Sequence, residues 1–214
     1  MALNLFVDND VILKLAQYGI LQHLTELFCS QGVQAQVIVL ESAKYKLLPK
    51  RNRLELCKTE ETAHQVEAFL DSAAKLTPSA VDLDTLDLLN TAPGIDPGEA
   101  LLFAAAAKDG NGRVLTGDKR ALAGLLEQDH AQLASWLTNK VVTLEALIQG
   151  FVQLDLPATQ HKVRSNAGVD KALTNVFGVS APAPEDSVRA GLQSYVEHLR
   201  KGLGGLMNSG PPFV

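Results

Sequence analysis

Four acidic residues stand where a catalytic edge would need them: Asp8, Glu41, Glu99 and Asp118. Asp8 closes the apolar run Leu-Asn-Leu-Phe-Val at residues 3–7, Glu41 closes a run at 36–40, and Asp118 follows Leu115-Thr116-Gly117. Short apolar runs of this kind suit strands buried on both faces of a parallel sheet. In such a sheet the carboxyl ends of the strands share one edge, and ligands bind there. Glu99 begins an almost uncharged stretch, residues 100–107, and joins the same edge if that helix enters the sheet from there. Carboxylates gathered in one place repel and raise one another's pKa. A divalent cation removes that cost, and ligands that are all oxygen select Mg²⁺ or Mn²⁺. Such a site activates water and stabilises the transition state of phosphodiester hydrolysis.

Each acid also has a local role open to it. Asp96-Pro97-Gly98-Glu99 has the spacing of a capping box, with Asp96 at the cap and Glu99 three residues on. Asp118 and Asp10 stand where they would cap the helices that follow them. Glu41 reads equally as a solvated acid at a helix start. Singly, the acids suit caps and solvent; their shared position after strands favours a site.

The elements that must position them alternate along the chain. Strands are expected at 3–7, 36–40, 113–115 and 141–143. A helical pattern runs through Val11, Leu15 and Tyr18, and another through Leu21, Leu24 and Phe28, with breaks at Gly19 and Gly32. Further helices are expected at 60–75, 83–89, 100–107, 119–128, 131–137 and 144–154. Strands separated by helices imply βαβ crossovers, hence a three-layer α/β/α fold with a central, mostly parallel sheet. From about residue 157 only helices are expected, at 160–177 and after the linker 180–184. The last places Val188, Leu192, Tyr195, Leu199 and Leu203 in one apolar stripe. The division is therefore a domain at 1–156, a helical extension at 157–203 and a loose tail at 204–214.

Composition bounds the rest. The chain has 214 residues, 46% hydrophobic and 20% charged, which suits a globular domain plus a remainder and excludes a disordered chain. The longest stretch without Asp, Glu, Lys or Arg, residues 27–40, contains Ser30, Gly32 and three glutamines, so no membrane span is expected. The amino terminus has no basic segment and reaches an acid by Asp8, so no secretory leader is expected. Cys29 and Cys57 have no metal or redox spacing and read as reduced thiols of a cytoplasmic protein. The five histidines show no zinc pattern, and nucleophile-elbow, Walker and dinucleotide fingerprints are missing. The net charge of −5 on its face argues against a nucleic-acid partner. Assigning four of the 24 acids to one cation site leaves 20 against 19 basic residues, which removes the objection.

Taken in order, the acidic segments resemble the PIN-domain family of metal-dependent nucleases over roughly residues 3–155. Phe6-Val7-Asp8-Asn9-Asp10-Val11-Ile12-Leu13 is similar to the family's first strand and first acid. Val37-Ile38-Val39-Leu40-Glu41 matches the position of its second acid. Gly98-Glu99-Ala100 looks like its helix-borne acid in the Gly-Glu-Ala variant, and Leu115-Thr116-Gly117-Asp118 like the strand-end segment that supplies its last. Glu99 departs from the Asp of many members by one methylene. The resemblance implies endonucleolytic cleavage, usually of RNA, in a toxin–antitoxin or RNA-processing setting. It implies Asp8, Glu99 and Asp118 as metal ligands, Glu41 as a fourth catalytic acid that binds or orients the metal, and Asn9, Asp10 and Thr116 as supporting or substrate-positioning groups.

A basic segment bears on the substrate. Residues 44–58 carry six Lys or Arg and one acid, Glu55. Lys44, Lys46, Lys50, Arg51 and Arg53 would hold phosphates of RNA or single-stranded DNA beside the acidic edge, with Tyr45 available to stack on a base. A solvated surface accounts for the same charges equally well. Two other functions compete. A haloacid-dehalogenase-like phosphatase would use Asp8 as nucleophile and Asp10 as general acid, but lacks a further acid between Lys119 and Gly124. A PIN-like scaffold would bind without catalysis. The helical extension is expected to fold back on the sheet, form a homodimer, or hold an antitoxin or other protein partner.

Overall fold

The computed structural model describes residues 2–29, 34–127 and 131–207. Five strands form one all-parallel sheet: β1 (Leu3–Val7), β2 (Ala35–Val39), β3 (Ala74–Lys75), β4 (Gly112–Thr116) and β5 (Val141–Thr143), in the order β3-β2-β1-β4-β5. β1 is central. It pairs Leu5 with Val37 and with Arg113, and Val7 with Leu115. Its three consecutive apolar residues, Leu5, Phe6 and Val7, are buried, as a strand covered on both faces requires.

The helices follow from local signals. In α1 (Asn9–Gln17) the Asp8 side chain caps the helix, and Val11, Ile12, Leu15 and Ala16 face the core. Gly19, at φ +67°, takes the left-handed turn that separates α1 from a 3₁₀ helix at Leu21–Phe28. That helix buries Leu21, Leu24, Leu27 and Phe28. Two short helices, α2 (Ala43–Leu47) and α3 (Arg53–Cys57), precede α4 (Glu60–Ser72). Next come α5 (Leu83–Thr91), α6 (Pro97–Lys108), α7 (Lys119–Gly124), α8 (Ala131–Trp136) and α9 (Leu144–Leu154). The chain steps from β1 to β2 to β3 in one direction, then crosses back to β4 and β5. Right-handed crossovers therefore put α1 to α4 on one face and α5 to α8 on the other. The reversal lies between β1 and β4, the crevice where open parallel sheets receive ligands.

Beyond β5 the chain is helical: α10 (Leu156–Ser165), α11 (Lys171–Phe177) and α12 (Glu185–Leu203). These helices fold back. α10 and α12 both pack on α9, and Val188, Leu192, Val196, Leu199 and Leu203 are buried.

Several expectations are corrected. The helix expected over 160–177 is two, because Asn166 ends α10 and the Asp170 carboxylate caps α11 by accepting from the amides of Ala172 and Leu173. The helix expected over 60–75 ends at Ser72, and Ala74–Lys75 joins the sheet as β3. Val196 takes the stripe position assigned to Tyr195, which is only partly buried. Residues 204–207 are not loose: Gly204–Leu206 forms a 3₁₀ turn, Leu206 and Met207 are buried, and Met207 bridges Val141. The break at Gly32, the helix end at Gln128, His130 and the tail from residue 208 lie outside the described residues.

Candidate functional site

The crevice between β1 and β4 opens into a cavity of about 550 Å³. Asp8, Asn9, Asp10, Asp96, Glu99 and Asp118 line it, together with Lys14, Lys46, Lys119 and Arg120. Three helix starts bring the acids here. Asp8 leaves β1 with its amide bonded to the Leu115 carbonyl at 3.0 Å, and its Oδ1 accepts from the Asn9 amide at 2.7 Å. Asp96 and Glu99 form a complete capping box on α6: Asp96 Oδ1 accepts from the amides of Gly98 and Glu99, and Glu99 Oε2 accepts from the Asp96 amide at 2.8 Å. Asp118 caps α7, its Oδ1 accepting from the Arg120 amide at 2.8 Å and the Ala121 amide at 3.2 Å. Thr116 is buried, and its hydroxyl accepts from the Asp118 amide at 3.1 Å, shaping the turn between strand and cap.

Burial and mutual repulsion set the electrostatics. Asp8 is 9% exposed, and burial pushes its carboxyl up to about 6, with Asp10 and Asp96 adding to the rise. Glu99 is 7% exposed, and burial pushes it up to about 7, reinforced by the charges of Asp8, Asp118 and Asp96. Among the described residues neither makes an ion pair. Asp118 differs. Burial raises it, but the side chain and amide of Arg120 and the amide of Ala121 together hold it below the usual carboxylate range. Its Oδ2 pairs with Arg120 at 3.1 Å, and Arg120 is 86% exposed.

The other sequence candidates divide. Asn9 lines the cavity, and its buried Oδ1 has no hydrogen-bond partner among the described residues. Asp10 lines it too but does not cap α1; it sits in the first turn and pairs with Lys14 at 2.9 Å. Glu41 is exposed and lines a separate groove, so the structure does not bring it to the other acids. Of the basic segment only Lys46 reaches the cavity, 4.0 Å from Asp96. Lys44 pairs with Asp71 at 3.0 Å and Arg53 with Glu67 at 3.1 Å, while Lys50 and Arg51 are exposed.

Sequence reasoning missed Lys14, Asp96 as a lining acid, Lys119, Arg120 and Glu145. The four-residue step from Asp10 to Lys14 signals their pairing. Nothing in the sequence marks Glu145, which is 2% exposed at the start of α9 and pairs through Oε1 with Lys119 at 2.8 Å.

Among the described residues no three His, Cys, Asp or Glu close into a metal-holding group. The capping bonds explain this: they turn Asp118 toward α7 and Glu99 toward the Asp96 amide. The donor set still suits Mg²⁺ or Mn²⁺ in kind, being oxygen only, and Asn9 Oδ1 adds an unused buried acceptor beside it. No protein-family model, curated protein or solved structure matches the chain.

Proposed function

We propose that the protein is a divalent-metal-dependent nuclease of the PIN type, cleaving phosphodiester bonds of single-stranded RNA. The observation that carries this is the pair of buried carboxylates, Asp8 and Glu99, raised to about 6 and about 7 in one cavity with no cationic partner among the described residues. A fold keeps such groups at a cost in stability, and strongly perturbed acids in a cleft mark a functional site. Asp8, Glu99 and Asp118 would hold the ion, with Asp96 beside them, and Glu41 stands outside that set. A divalent ion bound there supplies charge neutralisation and an activated water. Lys14, Lys46, Lys119 and Arg120 place four positive groups around five acids, so a phosphate can approach without facing an uncompensated negative wall. Action in RNA processing, or as a toxin held by an antitoxin, belongs to the same proposal.

Calorimetric titration with Mn²⁺ tests it. Heat that Asp8→Asn removes supports the reading. Absence of binding turns it toward the scaffold alternative, which the satisfied Asp118–Arg120 pair favours. The phosphatase alternative is opposed by Asp10, whose ion pair with Lys14 occupies the group that would have to deliver a proton.

A further inference from the structure

A second cavity, about 510 Å³, lies beside the carboxylate cavity at the ends of β2 and β3. The same two helices wall both. On α2, Lys46 lines the carboxylate cavity and its neighbour Tyr45 lines the groove. On α6, Glu99 lines the first and Leu101 the second; two positions apart, they project from opposite sides of the helix, so the first turns of α6 stand between the two spaces.

The groove has the chemistry of a base site. Its walls are apolar, from Leu40, Leu76, Val81, Leu83 and Leu86. Tyr45 is 75% exposed and Leu83 71% exposed, a surface cost that packing within the chain does not explain. Among the described residues its only charged lining residue is Glu41, which repels a phosphate and accepts from the exocyclic amino group of a base. Ser42 and Thr77 add hydroxyls.

Resting on the nuclease reading, we infer that this groove holds one unstacked nucleobase of the substrate strand, with Tyr45 on its face and Glu41 at its edge, while the adjoining phosphodiester lies at the carboxylate cavity. The groove therefore selects single strands, because a paired base cannot leave its stack without cost. It also gives Glu41 a role in reading the base.

The test is equilibrium binding of a short fluorescent single-stranded RNA to the full-length protein in EDTA at low salt, so that neither metal nor cleavage enters. Tyr45→Ala should weaken binding on the order of tenfold, and Tyr45→Phe should preserve it, since stacking needs the ring. A duplex of the same sequence should bind more weakly than the strand. The same affinity in Tyr45→Ala as in the unaltered protein overturns the groove assignment, and RNA cleavage by the unaltered protein with Mn²⁺ then shows that the nuclease reading survives it. Failure of the strand to bind also overturns the assignment; cleavage again decides the fate of the nuclease reading separately.

Discussion

The ammonium of Lys119 donates to the hydroxyl of Tyr195 at 2.6 Å, and its charge stands 4.8 Å from the centre of the tyrosine ring. The residue immediately after Asp118 is thus tied to α12, so the helical extension reaches the edge of the carboxylate cavity. Burial lowers the pKa of Lys119, but bonds to Glu145 and Tyr195 outweigh it and the net shift is upward.

Removing Lys119 should expose what the tie protects. Glu145 is 2% exposed and its Oε2 has no partner among the described residues, so Lys119→Met leaves a buried carboxylate uncompensated. Breaking a fully buried pair costs 3–5 kcal/mol, and the half-exposed lysine reduces this to about 2 kcal/mol. The double variant Lys119→Met with Glu145→Gln should recover most of the loss. Chemical denaturation at pH 8 measures both; equal stability of the single and double variants would show that Glu145 does not depend on Lys119.

The raised carboxyls give stability a slope with pH. Asp8 and Glu99 titrate near 6 and 7 in the fold against 3.8 and 4.5 in an unstructured chain, so the folded state holds more protons between these values. Their contribution is complete below about pH 4 and is lost as pH rises through 6 and 7. Asp8→Asn removes one of the two groups and keeps a good capping residue. It should raise the melting temperature at pH 8 and leave it nearly unchanged at pH 4. Mn²⁺ should raise the melting temperature of the unaltered protein at pH 8, and more than that of the variant, since ions bind the deprotonated acids.

Arg120 sits on the carboxylate that the proposed ion needs. Its pair with Asp118 is solvent-exposed on the arginine side, so Arg120→Ala should cost less than about 1 kcal/mol of stability. It should tighten Mn²⁺ binding several-fold by freeing Asp118 Oδ2. Calorimetry checks both effects; weaker metal binding in the variant would place Arg120 outside any competition with the ion.

Much of the fold was legible because its signals are local. The apolar runs before Asp8 and Asp118 became β1 and β4, and Asp96-Pro97-Gly98-Glu99 became the capping box of α6. The capping and site readings of Glu99 describe one carboxylate, bonded to the Asp96 amide while lining the cavity. What was not legible depends on distant packing. β3 has two residues and exists through pairing with β2. Tyr195 fits the apolar period of α12, yet it points its hydroxyl at Lys119, which is 76 residues away in sequence. Glu145 is 2% exposed and carries no local sign of that burial; its partner Lys119 lies 26 residues earlier in the chain. The placement of Glu41 in its own groove depends on α5 and on Leu76-Thr77-Pro78, which the strand-end pattern does not describe.

Cleavage of single-stranded RNA by the purified full-length protein in Mn²⁺ tests the central claim most directly. The expected result is internal cleavage that rises with pH through 6 and 7, stops in EDTA, and falls at least a hundredfold in Asp8→Asn and Asp118→Asn, on the order of the loss when a transition-state charge stabiliser is removed. Undiminished cleavage by either variant, or cleavage that persists in EDTA, would contradict a metal-dependent nuclease centred on these carboxylates.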